Sequence, residues 1–411
     1  MAELGAMTTY VFLFLALYFE VFLLVSFLER KFGLRSAQIS LAAPETFPKV
    51  CIVVPCFNEE KTIAYSVDSL LALSYPKEKM EVFTVDDGST DNTYATALHY
   101  VNDPRVRVFK KERGGKHTVL NMALRQTDAE LIGCLDADST VESGALFTIV
   151  AAFKNPHVAA VTPGIHVKAP GTILQHLQHV EYILGIFNRY AFAGLGSIFI
   201  TPGPFSIFRA STIRDVGGWR EGHSTEDMEL GLRLQNAGWI ITNDPRAIVR
   251  TIAPKNLRAL VRQRVRWSYG FLRNVLDYRH MIGNPKFGNL GLIILPAALL
   301  SFVAALYFAA QLLWSFAQSI ADTIARFLLV GFEPLGPASF FFFNTSLLWL
   351  TVYTTIALTI FLISLGSFIS TGERRPPFST PIFLTLYSIL TPIWLGIALV
   401  RAIFNTGVRW R

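Results

Sequence analysis

Two kinds of apolar pattern divide the chain into regions. Long uninterrupted apolar runs occur near the start and through the last third, whereas the middle carries short runs separated by polar loops. A helix of about 20 apolar residues crosses a bilayer. The long runs therefore predict one N-terminal and three C-terminal membrane spans, at residues 10–28, 290–316, 347–369 and 382–400.

Charged residues beside these runs predict their orientation. No small-residue cleavage site follows the first run, which favours a retained anchor over a signal peptide. Arg30, Lys31 and Arg35 follow it, so the next domain is predicted to be cytoplasmic. Arg409 and Arg411 would then lie outside, against the trend. Either the positive-inside trend fails there, or one apolar run lies in the membrane interface and does not cross the bilayer.

The middle of the chain alternates strand-like and helix-like patterns. Short apolar runs at 50–55, 81–85, 106–109 and 131–135 predict strands, and helical spacing occupies 59–73, 93–101 and 117–125. This alternation predicts an α/β domain with a mostly parallel, doubly wound sheet. Ligands of such sheets bind at the carboxyl ends of the strands. Amphipathic patterns follow at 175–190 and 253–278, and the second is basic enough to predict a helix in the headgroup plane.

These patterns predict four units: an N-terminal transmembrane anchor (1–35), a cytoplasmic catalytic domain (36–250), amphipathic interfacial helices (251–286) and a C-terminal transmembrane region (287–411). Pro44 and Pro48 indicate a linker before the α/β domain.

Composition narrows the class of protein. Hydrophobic residues make up 52% of the chain, and the formal net charge is +7. No basic stripe stands apart from the apolar runs, so anionic headgroups or phosphorylated substrates are favoured over nucleic acid. The three cysteines form no C-x-x-C pair, which argues against a structural zinc site.

Acidic pairs follow two of the predicted strands. Asp136 and Asp138 come after the fourth strand, and two carboxylates on one side can hold Mg²⁺ or Mn²⁺ together with a substrate diphosphate. A solvated loop is the alternative. Asp86 and Asp87 follow the second strand and can accept hydrogen bonds from a nucleoside, or they serve only in a turn.

The segment Arg113-Gly114-Gly115-Lys116 precedes a predicted helix. Glycines and a helix N-terminus favour a phosphate, and lysine adds charge, although the P-loop spacing is missing. An ordinary glycine turn remains open. His176 and His179 are three residues apart, but a third metal ligand is lacking, so a structural role is favoured.

Two later segments carry the remaining candidate chemistry. Asp227 can act as a general base, or it and Glu226 can simply be first-turn carboxylates of a helix capped by Thr225. Arg264 and Arg266 can brace a diphosphate while the neighbouring tryptophan stacks on a sugar. Interfacial anchoring is the alternative for that segment.

In this order and spacing, the motifs Val-Asp-Asp-Gly-Ser-Thr-Asp (85–91), Asp-Ala-Asp (136–138), Thr-Glu-Asp (225–227) and Gln-x-x-Arg-Trp (263–267) resemble family 2 glycosyltransferases, most closely the membrane-embedded, cellulose-synthase-like branch. The resemblance implies a GT-A fold, a UDP- or GDP-sugar donor and an inverting single displacement. It places donor binding at Asp86, Asp87, Lys116, Asp136, Asp138 and Arg266, with Asp136 and Asp138 as metal ligands and Asp227 as the base. It places the acceptor at Gln263, Trp267, Glu226 and the loop containing Gly203 and Phe205, which lacks the cysteine of some polymer synthases.

The number of predicted spans favours transfer of a few sugars over polymer synthesis. Four spans offer little material for a polymer channel, so we expect a multi-pass cell-membrane enzyme that transfers hexosyl units to a lipid-linked glycan at the cytoplasmic face. A processive β-glycan synthase is the alternative, because Gln-x-x-Arg-Trp is associated with processivity. A non-catalytic transporter or scaffold is a third possibility.

Overall fold

The computed structural model describes residues 2–33, 47–331 and 344–407. Arg35, Pro44, Arg409 and Arg411, on which parts of the orientation and linker predictions depend, lie outside these residues. Eight strands form one sheet: β1 (Val50–Cys56), β2 (Met80–Asp86), β3 (Val106–Lys110), β4 (Leu131–Cys134), β5 (Ser139–Val141), β6 (Val158–Val167), β7 (Ile207–Arg209) and β8 (Ile240–Thr251).

The four predicted strands form the parallel half of this sheet, in the order β3-β2-β1-β4. Strand β1 is apolar throughout because both faces of the sheet are covered. Val50, Ile52 and Val54 pack into the core on one face, and Cys51 and Val53 pack on the other. The pairing aligns the carboxyl ends of β1 and β2, so Cys56 lies beside Asp86.

The other half of the sheet is mixed rather than parallel. Strand β7 pairs antiparallel with both β4 and β6, β6 is parallel to β8, and β5 closes the edge antiparallel to β8. The sequence predicts a mostly parallel sheet from the alternation of strands and helices before residue 136. It predicts neither β6 nor β8, which each contain a proline, nor β7 and β5, which are only three residues long. A run that short shows no periodicity.

Twelve helices surround or leave the sheet within the described residues. They are α1 (Ala2–Lys31), α2 (Ile63–Leu71), α3 (Thr93–Leu98), α4 (Lys116–Gln126), α5 (Ala145–Ala151), α6 (Ile173–Gly194), α7 (Ala210–Asp215), α8 (Glu226–Asn236), α9 (Leu257–Asp277), α10 (Leu295–Val330), α11 (Leu347–Thr371) and α12 (Thr380–Ile403).

Four of the helical segments are long and apolar enough to cross a membrane, as predicted: Met7–Lys31, Leu290–Val330, Leu347–Thr371 and Thr380–Ile403. This is the composition of a multi-pass membrane protein. Glu20, the acidic residue inside the first segment, accepts a hydrogen bond from Thr359 of α11.

Three helices of the α/β region, α6, α8 and α9, contact these apolar helices. One core joins α1, α6, α8 and α11 through Phe27, Phe187, Leu232 and Leu362. A second core joins α6, α9, α11 and α12. Helix α6, which lies within the predicted catalytic unit, therefore packs against the apolar helices just as α9 does.

Candidate active site

The exit of β2 places Asp86 and Asp87 at the carboxyl edge of the sheet. Asp86 is buried; its Oδ1 accepts a hydrogen bond from the Ser89 amide (3.1 Å), and its Oδ2 has no partner among the described residues. Asp87 accepts hydrogen bonds from Lys111 Nζ (2.6 Å) and from the amides of the two glycines of the Gly-Gly-Lys segment (2.9 and 2.8 Å). Those amides hold Asp87, so the predicted phosphate cradle of the two glycines is not formed in this structure.

Lys116 begins α4 and lies between two carboxylates. Its Nζ forms an ion pair with Asp136 and lies 3.7 Å from Glu226 Oε1. Burial opposes the charge, but Asp136 and its neighbours hold the pKa of Lys116 well above its usual value. Gly203 leaves room for this contact, because a Cβ there would lie 2.3 Å from Lys116 Nζ.

Asp138 lies in the turn between β4 and β5. It accepts hydrogen bonds from the hydroxyls of Ser139 (3.0 Å) and Thr251 (3.4 Å). Burial and the nearby charges of Asp136 and Glu59 raise the pKa of Asp138 to about 6. The raised pKa indicates that the positive charge near Asp138 is too small to stabilise its ionised form fully.

A divalent cation would supply that charge. Within the described residues no group of three or more histidine, cysteine or acidic side chains forms a complete metal cage. Mg²⁺ is usually bound by one or two carboxylates, with substrate phosphates and water supplying the other oxygens. Asp136 and Asp138 fit that requirement.

Asp227 lies in the first turn of α8. The Thr225 hydroxyl does not cap this helix; it donates to the Gly222 carbonyl and accepts from Asn274 Nδ2, both at 2.8 Å. Burial and the Glu226 carboxylate raise the pKa of Asp227 to about 6, whereas Lys116 and Arg266 act in the opposite direction. A buried carboxylate with a pKa near neutrality has the properties of a general base.

Helix α9 brings Arg266 to the same place. Its Nη1 donates to the Ser224 carbonyl (2.9 Å). Burial lowers the pKa of Arg266, and the carboxylates of Glu226 and Asp227 raise it. The close approach depends on Gly270, where a Cβ would lie 2.2 Å from Thr225 Oγ1.

A small cavity lies between Lys116 and the first turn of α8. It is bounded by α4, the 201–206 loop and the start of α8, and its lining includes Lys116, Gly203, Glu226 and Asp227. The structure therefore brings residues separated by more than a hundred positions along the chain to one place at the carboxyl edge of the sheet.

Two other predicted residues are placed elsewhere. Phe205 is fully buried in the core, and its amide donates to the Cys134 carbonyl (2.6 Å). Its side chain therefore does not reach the cavity, whereas the sequence predicts that it contacts the acceptor. Arg264 forms an ion pair with Glu181 of α6 and not with the acidic cluster, which contradicts its predicted role as a diphosphate brace. Gln263 accepts a hydrogen bond from Arg264 (3.3 Å), and Trp267 is 37% exposed.

Several contributors escaped the sequence analysis. Thr201 donates twice to the Asp227 carbonyl, through its amide (3.2 Å) and its hydroxyl (2.8 Å). Asn274 supports Thr225, and Glu59 adds negative charge near Asp138. Of these residues, only Glu59 had a sequence pattern that could have identified it as part of the site. It follows the carboxyl end of β1, just as the acidic pairs follow β2 and β4.

Comparisons with known proteins identify the family of the chain. Residues 48–270 match the model of a family described as "Glycosyltransferase like family 2". The poly-beta-1,6-N-acetyl-D-glucosamine synthase of Staphylococcus epidermidis is 32% identical over 225 residues, which span 54% of this chain and 54% of that protein. The synthase of the same name from Staphylococcus aureus (strain COL) is 32% identical over 226 residues, with the same two coverages. The chain thus spans about half the length of these relatives.

A solved structure is similar along the whole chain. It is described as the mannosyltransferase PcManGT from Pyrobaculum calidifontis in complex with GDP-Man and Mn²⁺. The TM-score is 0.62 at 19% sequence identity, covering 99% of this chain and 100% of that one. At this identity the likeness shows the fold alone, and it confirms the predicted GT-A fold.

The family assignment removes the non-catalytic transporter or scaffold from consideration. It rests on more than half of the chain, and the matched segment contains all the cavity residues described above. The chain belongs to the glycosyltransferase like family 2.

Proposed function

We propose that this glycosyltransferase moves a hexosyl unit from a nucleoside diphosphate sugar, with inversion, to a lipid-linked glycan presented at the membrane. The observation that carries the proposal is that α9 contacts both the acidic residues of the cavity and a candidate membrane span. Arg266 of α9 lies near Glu226 and Asp227, and other residues of α9 pack against α12, which is a candidate span.

Asp227 supports transfer to a hydroxyl group. Its carboxylate takes the proton as the acceptor oxygen attacks the anomeric carbon, and the bond from that carbon to the diphosphate breaks. Lys116 and Arg266 stabilise the negative charge that develops on the leaving nucleoside diphosphate. A lipid phosphate oxygen is already ionised and would need no base, so a buried base favours a sugar hydroxyl as the nucleophile.

Donor binding is assigned to the carboxyl edge of the sheet. The unpartnered Oδ2 of Asp86 is available to an N–H or hydroxyl of the nucleoside. Asp136 and Asp138 would hold Mg²⁺ or Mn²⁺, which neutralises diphosphate charge when bound. Because Asp87 is held by Lys111 and the glycine amides, we assign it a structural role in shaping this edge of the sheet.

The acceptor is assigned to the side that faces α6 and α9. Arg189 of α6 has a buried Nε with no hydrogen-bond partner among the described residues, and burial lowers its pKa to about 10 although Tyr182 opposes this. A partly buried guanidinium with no ion pair among the described residues suits an anionic group such as the phosphate of a lipid carrier. Gln263, Trp267, Glu226 and Gly203 complete the proposed acceptor side.

A processive β-glycan synthase is the second candidate. Two observations favour it: the names of the Staphylococcus relatives and the Gln-x-x-Arg-Trp arrangement at 263–267. The presence of four candidate spans among the described residues weighs against it, because a growing polymer needs a path across the membrane.

Product length separates the two. The purified protein in lipid nanodiscs is incubated with radiolabelled UDP- and GDP-sugars, with and without Mn²⁺, and with a polyprenyl-diphosphate-linked N-acetylglucosamine. We expect a discrete shift of the lipid by one or a few sugars. Polymer made without the lipid would overturn the first candidate and support the second.

We also propose that the α/β domain lies in the cytoplasm. Arg30 and Lys31 end the first candidate span, and Arg374 and Arg375 lie between the last two, so all four sit on one side if each segment spans. Labelling of cysteines introduced at Lys31 and Arg375 in intact cells tests this, since labelling by an impermeant reagent would contradict it.

A further inference from the structure

One face of Trp267 is covered by a neighbouring cation. The guanidinium carbon of Arg264 lies 4.1 Å from the centre of the indole ring. Arg264 is 3% exposed and Trp267 is 37% exposed, so the ring is held from the protein side and remains accessible from the other. Such a cation–π contact fixes the ring plane only if the guanidinium is itself fixed.

Arg264 is fixed by two other helices. Its Nη2 forms an ion pair with Glu181 Oε2 of α6. The same carboxylate oxygen accepts a hydrogen bond from the Tyr387 hydroxyl of α12 (3.0 Å). A buried guanidinium depends strongly on its counter-ion, because neither charge is solvated by water. These contacts form a continuous chain from a candidate membrane span to an exposed indole ring.

We infer that Glu181, Arg264 and Tyr387 are positioning residues that set the orientation of Trp267 and tie it to α12. The inference rests on the proposed role of Trp267 at the acceptor. None of the three contacts Lys116 or Asp136 in the described structure. Loss of the network should therefore change acceptor binding and leave donor binding unchanged.

The ring position can be measured without any transfer assay. The chain has seven tryptophans, which 5-fluorotryptophan labelling converts into fluorine NMR signals. Trp267→Phe and Trp394→Phe assign two of them; the second is needed because the Trp394 ring packs 5.7 Å from that of Tyr387. We expect Tyr387→Phe to shift or broaden the Trp267 signal. A change confined to Trp394 would overturn the inference.

Tyr307→Phe is the matched control. Tyr307 lies in α10, another candidate span, and donates a hydrogen bond to the Gly5 carbonyl (2.9 Å). Its loss removes a similar membrane-helix contact far from α6 and α9. The Trp267 signal should stay in place in this variant, and a shift equal to that of Tyr387→Phe would also overturn the inference.

Kinetics provide the second measurement. Tyr387→Phe should raise the KM for the polyprenyl-diphosphate-linked N-acetylglucosamine roughly fivefold, the effect of losing one hydrogen bond, with the KM for the nucleotide sugar unchanged. Equal changes in both constants would indicate a merely structural role. If the lipid proves not to be an acceptor, the NMR result still decides the positioning claim, so the two failures are distinguishable.

The ion pair is tested with a double substitution, since Glu181→Gln alone leaves a buried cation and can fail to fold. Glu181→Gln with Arg264→Gln removes both charges and leaves a hydrogen-bonding amide at each position. We expect a folded protein with unchanged nucleotide binding and a displaced Trp267 signal. An unmoved Trp267 signal in this folded variant would overturn the inference.

Discussion

At the scale of single residues, the ionisation of Asp227 in the cavity depends on a balance of the charges around it. Burial and Glu226 disfavour the ionised carboxylate, while Lys116 and Arg266 favour it. The result is a carboxyl group that is ionised at neutral pH and yet basic enough to take a proton. An exposed aspartate has a pKa near 3.9, and would be a far weaker base.

Asp227→Asn tests the base directly. The amide keeps the shape of the side chain and cannot accept the acceptor proton, so we expect transfer to fall by roughly a hundredfold to ten-thousandfold, the usual contribution of general base catalysis. Binding of the nucleotide, measured by calorimetry, should be retained. Asp277→Asn is the control, because Asp277 is exposed and pairs with His223 outside the cavity (2.7 Å). Unchanged transfer in Asp227→Asn would remove the base role.

The raised pKa of Asp227 also predicts a pH profile. A carboxyl with a pKa of about 6 is protonated below that pH, so kcat/KM for the acceptor should fall about tenfold per pH unit below 6 and level off above it. Saturating donor and Mn²⁺ limit the contribution of Asp138, whose pKa is also raised to about 6. A profile that stays flat down to pH 5 would contradict the prediction.

At the scale of elements, the site depends on how closely α8 and α9 approach. Glycines make the approach possible on both sides of α8. A Cβ at Gly231 would lie 2.3 Å from the Phe199 carbonyl oxygen, and one at Gly270 would lie 2.2 Å from Thr225 Oγ1. Arg266 lies one turn before Gly270 in α9, so the contact sets its distance from Asp227.

Gly270→Ala should therefore impair transfer. The added methyl overlaps the Thr225 side chain, and such overpacking typically costs about 1–3 kcal/mol. We expect transfer to fall roughly tenfold, with a smaller change in nucleotide binding. Gly396→Ala in α12 is the matched control, because a Cβ there meets open space. Equal losses in the two variants would exclude the helix contact as the cause.

Predictability from sequence followed the continuity of the apolar pattern and not the length of the element. Strands β1, β2 and β4 were predicted because two-sided burial makes them continuous apolar runs, whereas the longer β6 and β8 each contain a proline and were not predicted. Strand β7, which is three residues long, carried no such pattern, although it separates the two halves of the sheet. The mixed topology was missed for that reason.

The same limit applies within α9. Arg264 and Arg266 are two residues apart, so roughly 200° of helix rotation separates them and they face opposite sides. Periodicity alone could have assigned them different roles, yet it cannot say which faces the cavity. Phe205 illustrates a different limit, because its burial is decided by the loop geometry and not by the local pattern.

At the scale of the whole molecule, the α/β domain is attached to the apolar helices by polar contacts as well as by the two cores. Arg30, at the end of α1, donates to the backbone carbonyls of Tyr190 in α6 (2.6 Å) and Asn243 in β8 (2.9 Å). Its guanidinium also lies 3.9 Å from the centre of the Tyr190 ring. One side chain thus joins the first candidate span to α6 and the sheet.

Arg30→Ala should loosen this attachment. Hydrogen bonds to a charged group contribute about 1.5–3 kcal/mol each, so the thermal midpoint in detergent should fall by several degrees. Lys31→Ala is the control. Lys31 is exposed, and within the described residues its ammonium contacts only aromatic rings, 4.3 Å from the centre of Phe368 and 5.8 Å from that of Phe27. Cation–π contacts at exposed sites are worth about 0.5–1 kcal/mol, so its effect should be smaller. If the two variants melt together, the carbonyl contacts of Arg30 do not hold the domain, and the apolar cores and the other polar contacts, such as that of Tyr387 with Glu181, attach it to the candidate spans.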